Sequence, residues 1–148
     1  MLPKDFIAKL AGPAQDIAKR TKIPASVTIA QAALESGWKL DAPGNNIFGI
    51  KADKSWSGAV VIEHTHEVIN GIEEPVIAPF RAYKTFIGSL SDHAQFLLEN
   101  HRYKPCFDTL NGVGFAKQLQ ACGYSTNPAY SDTLIEIMNE HNLLALDL

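Results

Sequence analysis

Apolar residues recur at helical spacing near the start of the chain. Phe6, Ile7, Leu10, Ala14, Ile17 and Ala18 share a face and predict an amphipathic helix over residues 4–20. Pro13 lies in its middle, where the missing N–H and the ring predict a kink or a division. A second apolar run predicts a helix from Pro24, suited to a first helical position, to Ser36, with Gly37 as its stop. Residues 41–51, "DAPGNNIFGIK", gather Pro, Gly and Asn and read as loop. Then the period changes. "SWSGAVVIEHTHEV" and "PVIAPFRAY" are rich in β-branched residues, and Asn70-Gly71 between them predicts a hairpin within residues 55–83. Pro75 and Pro79 confine the second strand to an edge. Helical spacing returns after Thr85, with Phe86, Leu90, Ala94, Phe96, Leu97 and Leu98 as the stripe. It recurs in "GFAKQLQACG" and, from Ser131, in "DTLIEIMNEHNLLAL". The pattern predicts an α+β, mostly helical fold, one domain over residues 1–148, with a single β-excursion after the second helix.

Composition narrows the function classes. At 148 residues, 46% hydrophobic and 20% charged, the chain suits one globular core. A net charge of −3 with no run of Lys or Arg argues against a nucleic-acid partner. No apolar stretch approaches the roughly 20 residues of a membrane span, so no stable membrane insertion is expected. Pro3, Lys4, Asp5 and Lys9 interrupt the N-terminus, which therefore lacks the apolar block of a signal peptide. Synthesis in the cytoplasm without an export signal, and a monomeric state, are the expectations. Cys106 and Cys122 are too few for a disulfide scaffold, lie in no nucleophile motif and are expected as free thiols.

Candidate chemistry begins at Glu35, which ends an apolar helix beside Trp38. An apolar setting disfavours the charged carboxylate, raises its pKa and suits it to general-acid work. Lysozyme uses such a Glu against a Trp. The plain alternative is a solvated glutamate at a helix end. In "EHTHE", residues 63–67, strand alternation puts Glu63, Thr65 and Glu67 on one side and His64 and His66 on the other. His-x-His with carboxylates suits zinc, but no third ligand stands at motif spacing, and no metal site is expected. One of these carboxylates facing Glu35 across a cleft is a second reading, because glycosidic cleavage commonly uses two. A merely polar strand face is the third. Tyr124 and Tyr130 flank the Asn127-Pro128 turn, where either phenol suits hydrogen bonding to a sugar or packing of the last helix. Trp38, Phe48 and Trp56, with Asn46 in the loop among them, are candidate substrate contacts.

Taken in order, "AQAALESGW", "GNNIFGIKA", "SWSG", "THEVING", "FRAY", "SLSDHAQFL" and "YSTNPAYSD" resemble glycoside hydrolase family 73 over residues 20–142. These are bacterial and phage N-acetylglucosaminidases, among them flagellar-rod and autolysin domains. The resemblance implies a lysozyme-like fold, with a cleft between a helical lobe and a β-lobe. It also implies cleavage of the β-1,4 bond between N-acetylglucosamine and N-acetylmuramic acid in peptidoglycan, with no cofactor. Glu35 matches the general acid of the A-x-x-E-S motif, and Glu67 the β-lobe carboxylate before Asn-Gly. Tyr130 matches the active-site tyrosine of Y-x-T-x-P-x-Y, with Tyr124 next in line. His66 stands where many relatives carry a small polar residue, so Glu63 is the reserve for Glu67. A lytic transglycosylase and a non-catalytic glycan-binding module are the alternatives. A wall substrate implies action in the periplasm or cell wall after delivery, as a secreted effector or a phage lysin. An effector would carry a cleft-plugging inhibitor as partner.

Overall fold

The computed structural model describes residues 1–147, and among these stand five α-helices, one β-hairpin and three short 3-10 segments. Helix α1 (Pro3–Thr21) buries Phe6, Leu10, Ala14 and Ile17 at the predicted spacing. Pro13 neither divides nor ends it. The ring removes one hydrogen bond, but Leu10 and Ala14 on either side are fully buried and hold the helix by packing. Helix α2 (Ala25–Ser36) is buried all round from Ala25 to Ala33 and forms the centre of the core. Pro24 precedes it in extended conformation instead of opening it, a shift of one residue.

Strands β1 (Val60–Ile69) and β2 (Ile72–Arg81) form a two-stranded antiparallel sheet, with Val60 opposite Arg81 and Ile69 opposite Ile72. Asn70 and Gly71 have φ of 54° and 80°, the paired positive values of a two-residue turn whose twist matches the strands. Residues 55–59 are loop, not strand. Apart from an isolated bridge of Lys51 to Phe80 at its root, the outer edge of β2 is unpaired among the described residues, which is why the strand tolerates Pro75 and Pro79.

Loop 42–52 ties the hairpin root to the helical body. Asn46 Nδ2 donates to the carbonyls of Ile50 and Arg81 at 2.9 Å each, and the Ile50 N–H returns to Asn46 Oδ1 at 3.1 Å. The Tyr83 N–H donates to the Gly44 carbonyl at 2.7 Å. Gly44 has φ of 63°, and a Cβ there would lie 3.0 Å from both Ala82 Cβ and Val61 Cγ1, so only glycine fits.

Helices α3 (Phe86–Glu99), α4 (Gly112–Ala121) and α5 (Tyr130–Glu140) complete the body. The last helix is shorter than its apolar pattern predicts. Asn142 adopts a left-handed conformation (φ 53°), and Leu143–Leu146 close as a 3-10 turn. A second 3-10 segment, His101–Asp108, was not legible in the pattern because its i, i+3 geometry leaves no long stripe. Cys106 and Cys122 are free, and burial pushes the Cys106 thiol up to about 12.

Candidate active site

Glu35 stands in the last turn of α2, where the helix emerges from the core. Gly37 and Trp38 both take left-handed conformations (φ 64° each) and turn the chain sharply away. The Glu35 side chain is exposed to a cleft, yet surrounding protein strips enough water from its carboxyl to raise the pKa above the ordinary glutamate value. The Tyr130 hydroxyl donates to Glu35 Oε1 at 3.2 Å and pulls the pKa the other way. Desolvation is the larger influence, and the net shift is upward.

Tyr130 opens α5 and is buried. Gln120 of α4 fixes that helix start with both ends of its amide, accepting from the Ser131 N–H at 2.7 Å and donating to the Pro128 carbonyl at 2.6 Å. Tyr124 stacks on Tyr130 with centroids 5.5 Å apart. Burial and the nearby Glu35 push the Tyr130 hydroxyl pKa far up, so it is a donor and never an anion at working pH. On its other side Gln31 Nε2 donates to the same hydroxyl at 2.9 Å.

Two openings meet at Glu35. One, of about 1020 Å³, runs past Lys39, Asp41 and Asn46 to Glu63 and Thr65 on β1. The other, of about 380 Å³, runs past Phe48, Lys51 and Asp53 to Tyr103 and Tyr124. Gly49 borders both, so the carboxyl sits at the waist of one groove with two arms. Along β1, Val61, Glu63, Thr65 and Glu67 are half-buried on one face while Ile62, His64 and His66 stay exposed on the other. Glu63 borders the first arm. Glu67 forms an ion pair with Lys51, which borders the second arm.

The structure thus brings Glu35, Tyr124, Phe48 and Glu63 to the groove, with Tyr130 joined to it through Glu35 and Glu67 through Lys51. Asn46 borders the first arm, but its amide is committed to the loop. Phe48 stacks at 3.9 Å on His93, a fully buried imidazole that burial keeps neutral, its pKa lowered to about 3. Trp38 points into the seam between α1 and α5, edge-on to Phe6 at 5.4 Å and to His141 at 4.7 Å, and borders neither arm. Trp56 likewise borders neither; it lies 5.6 Å from Tyr83 under the Arg81 guanidinium, its indole N–H on the Ala59 carbonyl.

Four residues here carried no sequence signal of their own. Gln31 is hidden in an apolar run, and Lys51 in a loop. Arg81 and Asp92, joined at 3.0 Å, come from a strand end and a helix face with the turn at Thr85 between them. The Tyr83 hydroxyl also donates to Asp92, at 2.5 Å. The motifs "FRAY" and "SLSDHAQFL" held that pairing without disclosing it.

Chemically, a protonated carboxyl at the waist of an open groove can deliver a proton to an oxygen of a polymer lying across it. Among the described residues, no group of three His, Cys, Asp or Glu is arranged to hold a metal ion, and no helix is long and apolar enough to cross a membrane.

Known proteins are similar to this chain in sequence and fold. The peptidoglycan hydrolase FlgJ of Salmonella typhimurium is 36% identical over 144 residues, 93% of this chain and 46% of its own length. The exo-glucosaminidase LytG of Bacillus subtilis is 38% identical over 146 residues, 93% of this chain and 51% of its own. The chain therefore spans about half the length of these relatives. Among solved structures, the catalytic domain of the autolysin Auto from Listeria monocytogenes superposes with a TM-score of 0.87 at 29% identity, covering 98% of this chain and 87% of that one. The glycoside hydrolase domain of Salmonella FlgJ, truncated at its C-terminus, gives 0.78 at 35% identity, covering 95% and 98%. These likenesses bear out the expected lysozyme-like architecture of helical body, β-hairpin lobe and intervening cleft. With the glucosaminidase family, described as mannosyl-glycoprotein endo-beta-N-acetylglucosaminidase, matching residues 11–143, the chain belongs to that family.

Proposed function

We propose that this chain is a glycoside hydrolase that cuts the β-1,4 bond between N-acetylglucosamine and N-acetylmuramic acid in peptidoglycan. The observation that carries the reading is Glu35, a carboxyl with a raised pKa at the meeting point of two arms of an open groove. Glu35 gives its proton to the bridging oxygen as the bond to the sugar carbon breaks. Positive charge then develops on that sugar, and Glu67 is the carboxylate assigned to answer it or to activate water. Glu67 shares the half-buried face of β1 with Glu63 and pairs with Lys51, which borders the second arm. Tyr130 orients the acid, and Phe48 and Tyr124 line the arm in which the sugars would lie. The site of action in this reading is the periplasm or wall, reached as a secreted effector or as a phage lysin. A cleft-plugging inhibitor is the partner in the effector case.

Digestion of purified sacculi, with borohydride reduction and mass spectrometry of the products, tests this. Reduced N-acetylglucosamine ends are expected. Glu35→Gln should lower the rate by ~10²–10⁴-fold, the range of general acid catalysis, and Glu67→Gln should cost more than Glu63→Gln. Anhydro ends or N-acetylmuramic acid ends would overturn the bond assignment, and a Glu35→Gln variant near wild-type rate would overturn the acid.

A further inference from the structure

Gln31 lies one helical turn before Glu35, so α2 carries both toward the same neighbour. It is fully buried in an otherwise apolar stretch, and its Oε1 has no hydrogen-bond partner. A buried amide with an unpaired oxygen costs free energy relative to an apolar side chain of the same size. Packing therefore gives no reason for a glutamine here. Its single polar contact does: Nε2 donates to the Tyr130 hydroxyl at 2.9 Å, and that hydroxyl donates to Glu35 Oε1 at 3.2 Å.

The direction of this chain has a chemical consequence. A tyrosine oxygen carries one hydrogen and accepts through the remaining lone pairs. With the Gln31 N–H on the acceptor side, the phenolic hydrogen is left to point at Glu35 Oε1. The transferable proton of the neutral acid then belongs on Oε2. Without that lock the hydroxyl can reverse, accept from Oε1–H and hold the acid proton inside the protein.

We propose that Gln31 is a positioning residue: through Tyr130 it sets which oxygen of Glu35 carries the proton that the groove receives. This role rests on Glu35 being the proton donor proposed above. The other charged groups lining the groove are the Met1 amine, Lys9, Lys39, Asp41 and Glu63, with His64, in one arm and Lys51 and Asp53 in the other; Tyr124 stacks on the Tyr130 ring, and its hydroxyl is no part of the hydrogen-bonded chain.

The test is Gln31→Met, which keeps length and volume and loses the donor; Gln31→Leu makes the same comparison should the methionine variant melt early. Two readouts are needed. On solubilised glycan strands kcat should fall by about tenfold with KM within about twofold, as expected when a transition-state interaction alone is lost. In a carboxyl carbon NMR titration the Glu35 pKa should rise by about half a unit to one unit, because its carboxylate no longer receives an obligatory hydrogen bond. In the Tyr130→Phe background the same Gln31 substitution should move neither quantity further, since the chain is already cut. An unchanged titration and kcat in Gln31→Met would overturn the proposal, as would an effect that persists undiminished without the Tyr130 hydroxyl. If the wild-type protein releases no sugar ends, the hydrolase reading fails, and the titration still decides the fate of the lock.

Discussion

At the scale of single residues, the site shifts the Glu35 carboxyl toward its acid form. The folded state holds Glu35 with a raised pKa, so between the ordinary value of 4.5 and that raised value the folded chain binds a proton the unfolded chain has released. Stability contributed by this residue is therefore intact at low pH and declines as pH rises through that window. Glu35→Gln should remove the penalty while still accepting from Tyr130. The expected outcome is a higher Tm than wild type at pH 7 and equal values near pH 3, measured by thermal melts. A variant melting lower than wild type at pH 7 would show that the carboxylate is stabilised in place. Glu35 was legible in the sequence because a lone carboxylate ended an apolar run. Trp38 misled for a related reason: adjacency in sequence placed the indole beside the carboxyl. Two left-handed residues in succession instead carry it into the α1–α5 seam.

At the scale of elements, the helices and hairpin were legible wherever one period ran unbroken. Asn70-Gly71 fixed the turn, and the alternation of β1 set Glu63, Thr65 and Glu67 on a common face. What stayed hidden was how elements are joined, because a joint depends on pairs distant in sequence. Arg81, at the end of β2, is buried and meets Asp92 of α3; it also donates to the Lys51 carbonyl at 3.2 Å. Removing one member of a buried pair leaves the other charge uncompensated, commonly costing about 3 kcal/mol or more. Asp92 is partly exposed, which discounts that figure, so Asp92→Ala should destabilise by about 2 kcal/mol in urea unfolding. Activity should fall as well, because the Lys51 loop loses its anchor. Wild-type stability in Asp92→Ala would mean that Arg81 is held by Asp53, Ser55 and the backbone alone.

At the scale of the whole molecule, the two halves of the groove are built from different material. Glu35 ends a helix buried all round from Ala25 to Ala33, whereas Glu63 and Glu67 ride on β1 of a two-stranded hairpin whose outer face leaves Ile62 and Ile77 exposed. A lone hairpin is marginal in water, and this one is held to the body mainly at its root, by the Asn46 amide, the Arg81 contacts and the Lys51–Phe80 bridge, with the half-exposed Lys51–Glu67 ion pair as a tie nearer the tip. The groove therefore has a permanent wall and a provisional one. Amide hydrogens of α2 should exchange with deuterium only when the entire chain unfolds, while those between Ile62 and Ile77 should exchange through openings that leave the core intact. Equal protection in both would mean the hairpin and the body melt as one unit. Unequal protection would make the hairpin a wall that opens and re-forms while the acid waits in place, admitting a stiff, cross-linked polymer from the side and not by threading from an end.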